Sequence, residues 1–228
     1  MTPEQKAREV IDHKLVQAGW TVQDLKQINL SVGIGVAVRE FPTSTGPVDY
    51  ALFVDGIPVG VVEAKKDDAG ENLTVVEGQS NRYANSTFKW VKSIYQIRFA
   101  YEATGKLIHF TDYHDEKFRA RPVFSFHQPK ELQRLLKQSD TVRNRMKSFP
   151  VFDTTGFRKC QIEAIQNLEQ SFAESRPKAL IQMATGAGKT FTAITSVYRL
   201  LKFAGAHRIL FLVDTKGYQR PPHKCYYS

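Results

Sequence analysis

Cysteine is nearly absent: Cys160 and Cys225 are the two in 228 residues. Their spacing offers neither a structural zinc site nor a disulfide framework. Such scarcity points to a reducing compartment, the cytoplasm, with Cys160 read as a structural residue. No run of about 18 apolar residues occurs, which excludes a membrane-spanning helix and leaves no membrane partner in the reading. The opening MTPEQKARE is polar and lacks the apolar stretch of a secretion signal. Internal repeats and low-complexity tracts are also missing. Acidic residues are the minority, 23 Asp and Glu against 32 Lys and Arg, for a net charge of +9. That excess favours polyanionic partners, because neutralised phosphates release condensed counterions. A merely solubilising basic surface is the plain alternative.

What is present suffices for one large domain or two small ones. Ala7, Ile11, Leu15 and Ala18 fall on one face of a helix from Pro3 to Gly19. From Ile28 to Glu40 polar and apolar residues alternate, as in a half-buried strand. VDYALFVDGIPVGVVEAKK holds two strand-like runs around Asp55-Gly56, a hairpin signal. A helix is expected from Glu71 to Asn85, then strands from Ser93 to Tyr101 and Lys106 to Phe110. Phe126 to Phe149 reads as helical and basic. Proline and glycine around Ser148 to Gly156 then break the pattern, which sets a boundary between domains at 1–147 and 148–228. Beyond it come a helix from Phe157 to Ala173, a buried strand from Ala179 to Met183, a glycine loop, a helix from Lys189 to Phe203, and a last strand from Arg208 to Asp214.

The hairpin carries a possible chemistry. Cleaving a phosphodiester needs an activated water and neutralisation of charge growing on the phosphoryl oxygens. A magnesium ion held by two carboxylates at an open site supplies both, and a neighbouring lysine stabilises the charged transition state. Asp49, Glu63 and Lys65 are the required residue types, and Glu63 and Lys65, two apart on a strand, share a face. Pairing parity sharpens this. A plain two-residue turn at Asp55-Gly56 places Asp49 opposite Val62, on the wrong face from Glu63. One extra residue, as a three-residue loop or a bulge, places Asp49 opposite Glu63, so an odd residue is predicted. A hairpin with a solvated charged face is the alternative. Against it, Val61 and Val62 make the Glu63 strand apolar and central, where a carboxylate needs a reason. Gln79 and Tyr83, four apart, stack on one face of the following helix.

Asp49, Glu63-Ala64-Lys65 and Gln79-x-x-x-Tyr83 resemble the PD-(D/E)xK nuclease domain found in the R subunit of type I restriction-modification enzymes. Pro47 stands two positions before Asp49 rather than beside it, a departure from the pattern. The resemblance covers roughly residues 1 to 145. It implies an α/β fold, a mixed sheet flanked by helices. It also implies magnesium on Asp49 and Glu63 with the Ala64 carbonyl as a further ligand. Lys65 would assist the water, and Gln79 and Tyr83 would position DNA or support the site. Glu9 is a candidate further acid, on the polar side of its helix.

Leu180 to Thr190, LIQMATGAGKT, is the strongest signal: a strand, a glycine loop, then a helix opening at Lys189. Backbone N–H groups of Thr185, Gly186, Ala187 and Gly188 at a helix N-terminus cradle phosphates. Lys189 reaches the outer phosphates and the Thr190 hydroxyl ligates magnesium. Met183 replaces the first glycine of the strict motif. ATGAGKT resembles motif I of superfamily 2 helicases, and Phe157 to Gln161 resembles their upstream glutamine motif. The resemblance implies a partial RecA-like domain that binds ATP, with Gln161 reading the adenine; an exposed helix position for Gln161 is the alternative. Thr215 to Ser228 does not resemble the expected continuation, and no Asp-Glu-x-His box follows, so ATP binding without autonomous hydrolysis or translocation is expected. Together the resemblances imply a magnesium- and ATP-using nuclease acting on double-stranded DNA, partnered by methyltransferase (M) and specificity (S) subunits. Two other readings stand beside it. One is an ATP-binding, DNA-interaction module with an inactive nuclease site. The other is an assembly piece that docks through the basic segment from Phe126 to Lys147.

Overall fold

The structure, a computed structural model, describes residues 3–44, 46–65, 97–176 and 178–212. Its centre is a seven-stranded sheet whose strands lie in chain order. They are β1 (Thr21–Asp24), β2 (Gly35–Thr43), β3 (Gly46–Val54), β4 (Ile57–Ala64), β5 (Phe99–Ala103), β6 (Ile108–Asp112) and β7 (Arg121–Val123). The β1–β2 and β4–β5 pairs are parallel and the rest antiparallel, so the sheet is mixed. β4 is the middle strand, as its apolar run predicts, with Val61 and Val62 both 0% exposed.

One face of the sheet is covered by α1 (Pro3–Gln17) and α2 (Pro129–Leu136). Ala7, Ile11, Leu15 and Ala18 are buried, the face that the spacing predicts, and Gly19 ends the helix at φ 87°. Ile11, Leu15 and Leu132 meet Tyr50, Leu52, Val62, Tyr101 and Phe110 in a continuous apolar cluster. Val36, Val38, Ala51, Phe53, Val61 and Ala100 form a second cluster on the other face. Gly60 is needed where β4 meets β5: a Cβ there would lie 2.8 Å from the Phe99 carbonyl oxygen.

The hairpin turn is the two-residue Asp55-Gly56, with φ of 51° and 75°, the left-handed pair that a tight hairpin demands. Beside the turn Val54 pairs with Ile57 and Phe53 with Pro58. Further on Leu52 pairs with Gly60, Ala51 with Val61 and Tyr50 with Val62. Val59 is therefore the odd residue, a β-bulge, and its carbonyl accepts the Arg98 N–H at 3.1 Å. Of the two expected devices, the bulge is the one used.

Four expectations are corrected. The strand foreseen from Ile28 begins at Gly35, after β1 and a 3-10 turn at Leu25–Gln27. The helix foreseen from Phe126 to Phe149 is broken into α2, α3 (Val142–Arg145) and a 3-10 turn. Thr141 starts a new helix by accepting the Asn144 N–H on its side chain at 3.1 Å, a local bond that competes with helix continuation. The strands foreseen from Ala179 to Met183 and from Arg208 onward are extended chain without ladder partners among the described residues. Leu180 is 94% and Leu210 80% exposed. A strand exists only through its neighbour's hydrogen bonds, so an apolar run alone does not make one. Cys160, read as structural, is exposed.

Residues 148–212 contain α4 (Lys159–Ala173) and α5 (Lys189–Phe203) around the glycine loop. Arg199 of α5 is 5% exposed and ties this part together. It forms an ion pair with Glu169 of α4, donates to the Pro150 carbonyl at 2.7 Å and lies over the rings of Phe149, Phe152 and Phe203. No described helix is long and apolar enough to cross a membrane.

Candidate functional site

The bulge register, continued one step, sets Asp49 across from Glu63, and the side chain of Asp49 reaches the β4 backbone. Its Oδ2 accepts the Ala64 N–H at 2.8 Å. Asp49 thus lies at Glu63-Ala64, where the parity argument puts it. Its other oxygen is engaged from α1: Arg8 Nη2 donates to Asp49 Oδ1 at 2.5 Å, while Nη1 donates to Glu40 at 2.9 Å. Burial by itself lowers the guanidinium's pKa. The hydrogen bond and charge of Asp49, then those of Glu40, outweigh it and carry Arg8 above its ordinary value. Tyr50 and Asp12 anchor α1 beside this pair, Tyr50 Oη donating to Asp12 Oδ1 at 2.8 Å. Arg8, Arg39, Glu40, Asp49 and Tyr50 border a cavity of about 530 Å³.

Glu63 is partly exposed at the end of β4, in register with Glu102 on β5. The Lys65 N–H donates to the Ala103 carbonyl at 2.7 Å, continuing the ladder, so alternation returns Lys65 to the face of Glu63 and Glu102. Burial raises the Glu102 carboxyl above its ordinary range, and the Lys65 charge partly offsets this. Gln79 and Tyr83 lie outside the described residues, as does the helix expected around them. Glu9 is exposed, as its place on the polar side of α1 predicts. Among the described residues no three His, Cys, Asp or Glu side chains gather as a ready-made metal cage. Asp49 and Glu63, set across from each other by the register, carry hard oxygens of the kind magnesium takes. One of them is currently paired with a guanidinium.

Nothing in the sequence marks Arg8 or Glu40 as partners of the site. Arg8 and Asp49 are 41 residues apart, and only docking of α1 onto the sheet makes them neighbours. Glu102 was legible as a polar residue in an apolar strand (Phe99, Ala100, Tyr101), the same kind of exception that singled out Glu63.

In the glycine loop, Gly186 and Gly188 hold φ of 77° and 88°, conformations that disfavour other residues, and Gly188 caps α5. Thr185, Lys189 and Thr190 are exposed around the loop, and Lys189 Nζ lies 3.4 Å from the Met183 carbonyl. Gln161 is 5% exposed, so the surface alternative does not apply. Its Oε1 accepts the Arg158 N–H at 3.0 Å and its Nε2 donates to the Ala187 carbonyl at 2.9 Å. Arg158 in turn donates to the Gly186 carbonyl at 2.9 Å. The upstream segment therefore braces the glycine loop directly. A Cβ on Gly188 would sit 2.2 Å from Gln161 Nε2.

Two family profiles match the chain. Residues 26–107 match the "Type I restriction enzyme EcoKI endonuclease subunit second domain" and residues 154–218 match the "Type III restriction enzyme, res subunit". The class is that of restriction-enzyme endonuclease subunits carrying a helicase-like region. The chain is 27% identical over 264 residues to the type I restriction enzyme EcoKI endonuclease subunit of Escherichia coli (strain K12), covering 94% of this chain and 23% of that protein. It is 40% identical over 57 residues to the EcoAI endonuclease subunit of Escherichia coli, covering 25% of this chain and 7% of that protein. Over almost its whole length the chain is thus similar to the R subunits of type I restriction enzymes. It spans less than a quarter, 23%, of its EcoKI relative's length. A solved fragment of an HsdR subunit of a type I restriction enzyme from Vibrio vulnificus YJ016 aligns over 91% of this chain and 39% of that one. The TM-score is 0.41 and the identity 20%.

Proposed function

We propose that the chain supplies the magnesium-dependent nuclease site of a type I restriction endonuclease acting on double-stranded DNA, joined to the phosphate loop of its ATP-using motor. The observation that carries the reading is the bulge at Val59, because it brings the Asp49 carboxylate onto Glu63-Ala64 from the adjoining strand. Asp49, Glu63 and the Ala64 carbonyl would hold magnesium. When bound, the ion lowers the pKa of a water and neutralises charge on the phosphoryl group. Lys65, on the face of Glu63, stabilises the anionic phosphorane-like state. Arg8, released from Asp49, remains within reach as a second cation for the scissile phosphate. Gln79 and Tyr83 retain the supporting role that the family resemblance implies. In the other region Thr185 to Gly188 cradle ATP phosphates, with Lys189 and Thr190 on the outer phosphates and their magnesium. Gln161 braces the loop and reads the adenine edge. The M and S subunits of a type I complex are the protein partners.

Cleavage of duplex DNA with magnesium, compared between the chain and Glu63→Ala, tests the nuclease. Cleavage lost in the variant is the expected result, and equal cleavage by both sinks the assignment. The Arg8–Asp49 ion pair favours one competing reading, a DNA- and ATP-binding module whose nuclease site stays neutralised. Magnesium titration separates the two, since a closed site gives the same weak affinity in the chain and in a Glu63→Ala, Lys65→Ala double variant.

A further inference from the structure

At the far end of the sheet, the loop after β6 carries Asp115, whose side chain is 2% exposed. Arg121 of β7 donates to its Oδ2 at 3.1 Å, and Arg143 of α3 points its Nε at the same oxygen from 4.0 Å. Arg119, two residues before Arg121, is exposed beside them. Nearby charges are already matched: Arg98 is held by both oxygens of Asp112, each at 2.9 Å, and Lys147 by Glu116. Two guanidinium groups thus share one buried carboxylate, and the charge of Arg119 reaches Arg143; none of the three loses its proton, so one carboxylate faces three positive charges, an excess of two. Their mutual repulsion registers on Arg143: burial, then Arg121, lower its pKa; Asp115 only partly restores it, and Arg119 lowers it again. Arg121 and Arg143 remain about a quarter exposed, 27% and 26%, so their outer N–H groups are open to a ligand.

We propose that Arg121 and Arg143, which meet at Asp115, and Arg119, two residues before Arg121 on the exposed loop, form a phosphate-binding site for the backbone of duplex DNA, separate from the Asp49–Glu63 site. Guanidinium forks match phosphate oxygens in pairs, and an extended polyanion relieves an over-charged cluster better than a small ion does. The position suits an extended ligand. β4 and β5 end at Ala64 and Ala103 beside the nuclease carboxylates, whereas β6 runs antiparallel and ends at Asp112, next to Phe99. Along the strand direction alone, four residue steps, roughly 13 Å, lie between the two ends of β5. On the other side α3 leads from Arg143 to Arg145, which donates to the Ala204 carbonyl at 2.7 Å at the end of α5. The cluster therefore lies between the nuclease carboxylates and the helix that follows the phosphate loop. The inference rests on DNA being the substrate, as proposed above.

The test is fluorescence anisotropy of a short labelled duplex with the full chain, in EDTA and without nucleotide, over a series of salt concentrations. Arg119→Ala together with Arg143→Gln is expected to weaken binding about tenfold and to flatten the log–log salt slope by about 2, one unit per lost phosphate contact. Arg119→Ala alone removes an exposed side chain without touching the fold and is expected to flatten the slope by about 1. Asp115→Asn removes the competing carboxylate and is expected to tighten binding, a gain that misfolding does not mimic. Affinity and salt slope equal to the parent's in the arginine variants overturn the proposal, as does a parent chain that binds no duplex. Arginine-dependent binding alongside cleavage indifferent to Glu63→Ala removes the nuclease reading and leaves this one standing. Glu63-dependent cleavage with arginine-independent binding does the reverse.

Discussion

The two regions of this chain bury their apolar residues to very different extents. Among the described residues up to Leu136, strands meet strands through long ladders and α1 and α2 seal one face, leaving Ile11, Leu15, Leu52, Val62 and Leu132 fully enclosed. In residues 178–212, Leu180, Leu210, Phe211 and Leu212 are largely exposed although the sequence there is just as apolar. Hydrophobic patterning proposes a strand; a neighbouring ladder and a covering layer make one. Where both are present, backbone register can place a carboxylate to within a hydrogen bond. In the second region order comes instead from a few polar ties, Arg199 to Glu169 and Pro150, and Gln161 and Arg158 to the glycine loop.

This contrast can be broken at several points. Arg199→Met should be the most damaging change, about 4 kcal/mol, because it strands Glu169 in a largely buried setting and removes the cation from three aromatic rings. Urea denaturation followed by hydrogen exchange in α4 and α5 checks it, and a loss below about 1 kcal/mol means that this region is held by something other than its polar ties. In the sheet region His127 supplies a comparable effect through pH. Burial first, then the charge of Arg121, depress its folded pKa to about 4, and Tyr101 Oη lies 2.7 Å from its Nδ1. With an unfolded value near 6.5, the unfolded chain takes up the proton first. Stability is therefore complete above about pH 6.5 and falls as pH drops toward 4, by up to about 3 kcal/mol. Chemical denaturation across that window should show the decline, and His127→Gln should flatten it.

A smaller effect bears on the site itself. Arg8→Gln frees Asp49 Oδ1 and should tighten magnesium several-fold, corresponding to about 1 kcal/mol for a partly exposed ion pair. Isothermal titration reads this directly, and weaker magnesium binding in the variant means that Arg8 helps to build the site rather than occupying it. The smallest change expected is Leu210→Ser, within about 0.5 kcal/mol, because the side chain is 80% exposed. A loss above about 2 kcal/mol in thermal unfolding would show this leucine to be covered in solution and would erase the contrast between the regions.

Local pattern made part of the site readable. Asp-Gly between alternating apolar residues specifies a tight hairpin, and the parity of the side chains demands one odd residue if Asp49 and Glu63 are to cooperate; Val59 is that residue. The glycine loop is equally plain, since Gly186 and Gly188 take the positive φ that the motif needs. Less legible were β1 and β7. Both are short and polar, and they count as strands only through hydrogen bonds to β2 and β6. The break between α2 and α3 was missed because Thr141 looks like any polar helix residue until its hydroxyl is seen to cap the next turn.

Sequence alone determined what depends on neighbours along the chain: the apolar stripe of α1, the turn chemistry of the hairpin and the glycines of the loop before α5. These follow from backbone sterics and short-range periodicity, which need no distant partner. Tertiary structure decided what depends on residues brought together from afar. Arg8 sits on Asp49, Glu102 lies beside Glu63, and Arg121 and Arg143 meet at Asp115. Charges interact through space, so their effect is set by the packing of helices on the sheet and not by their order in the chain.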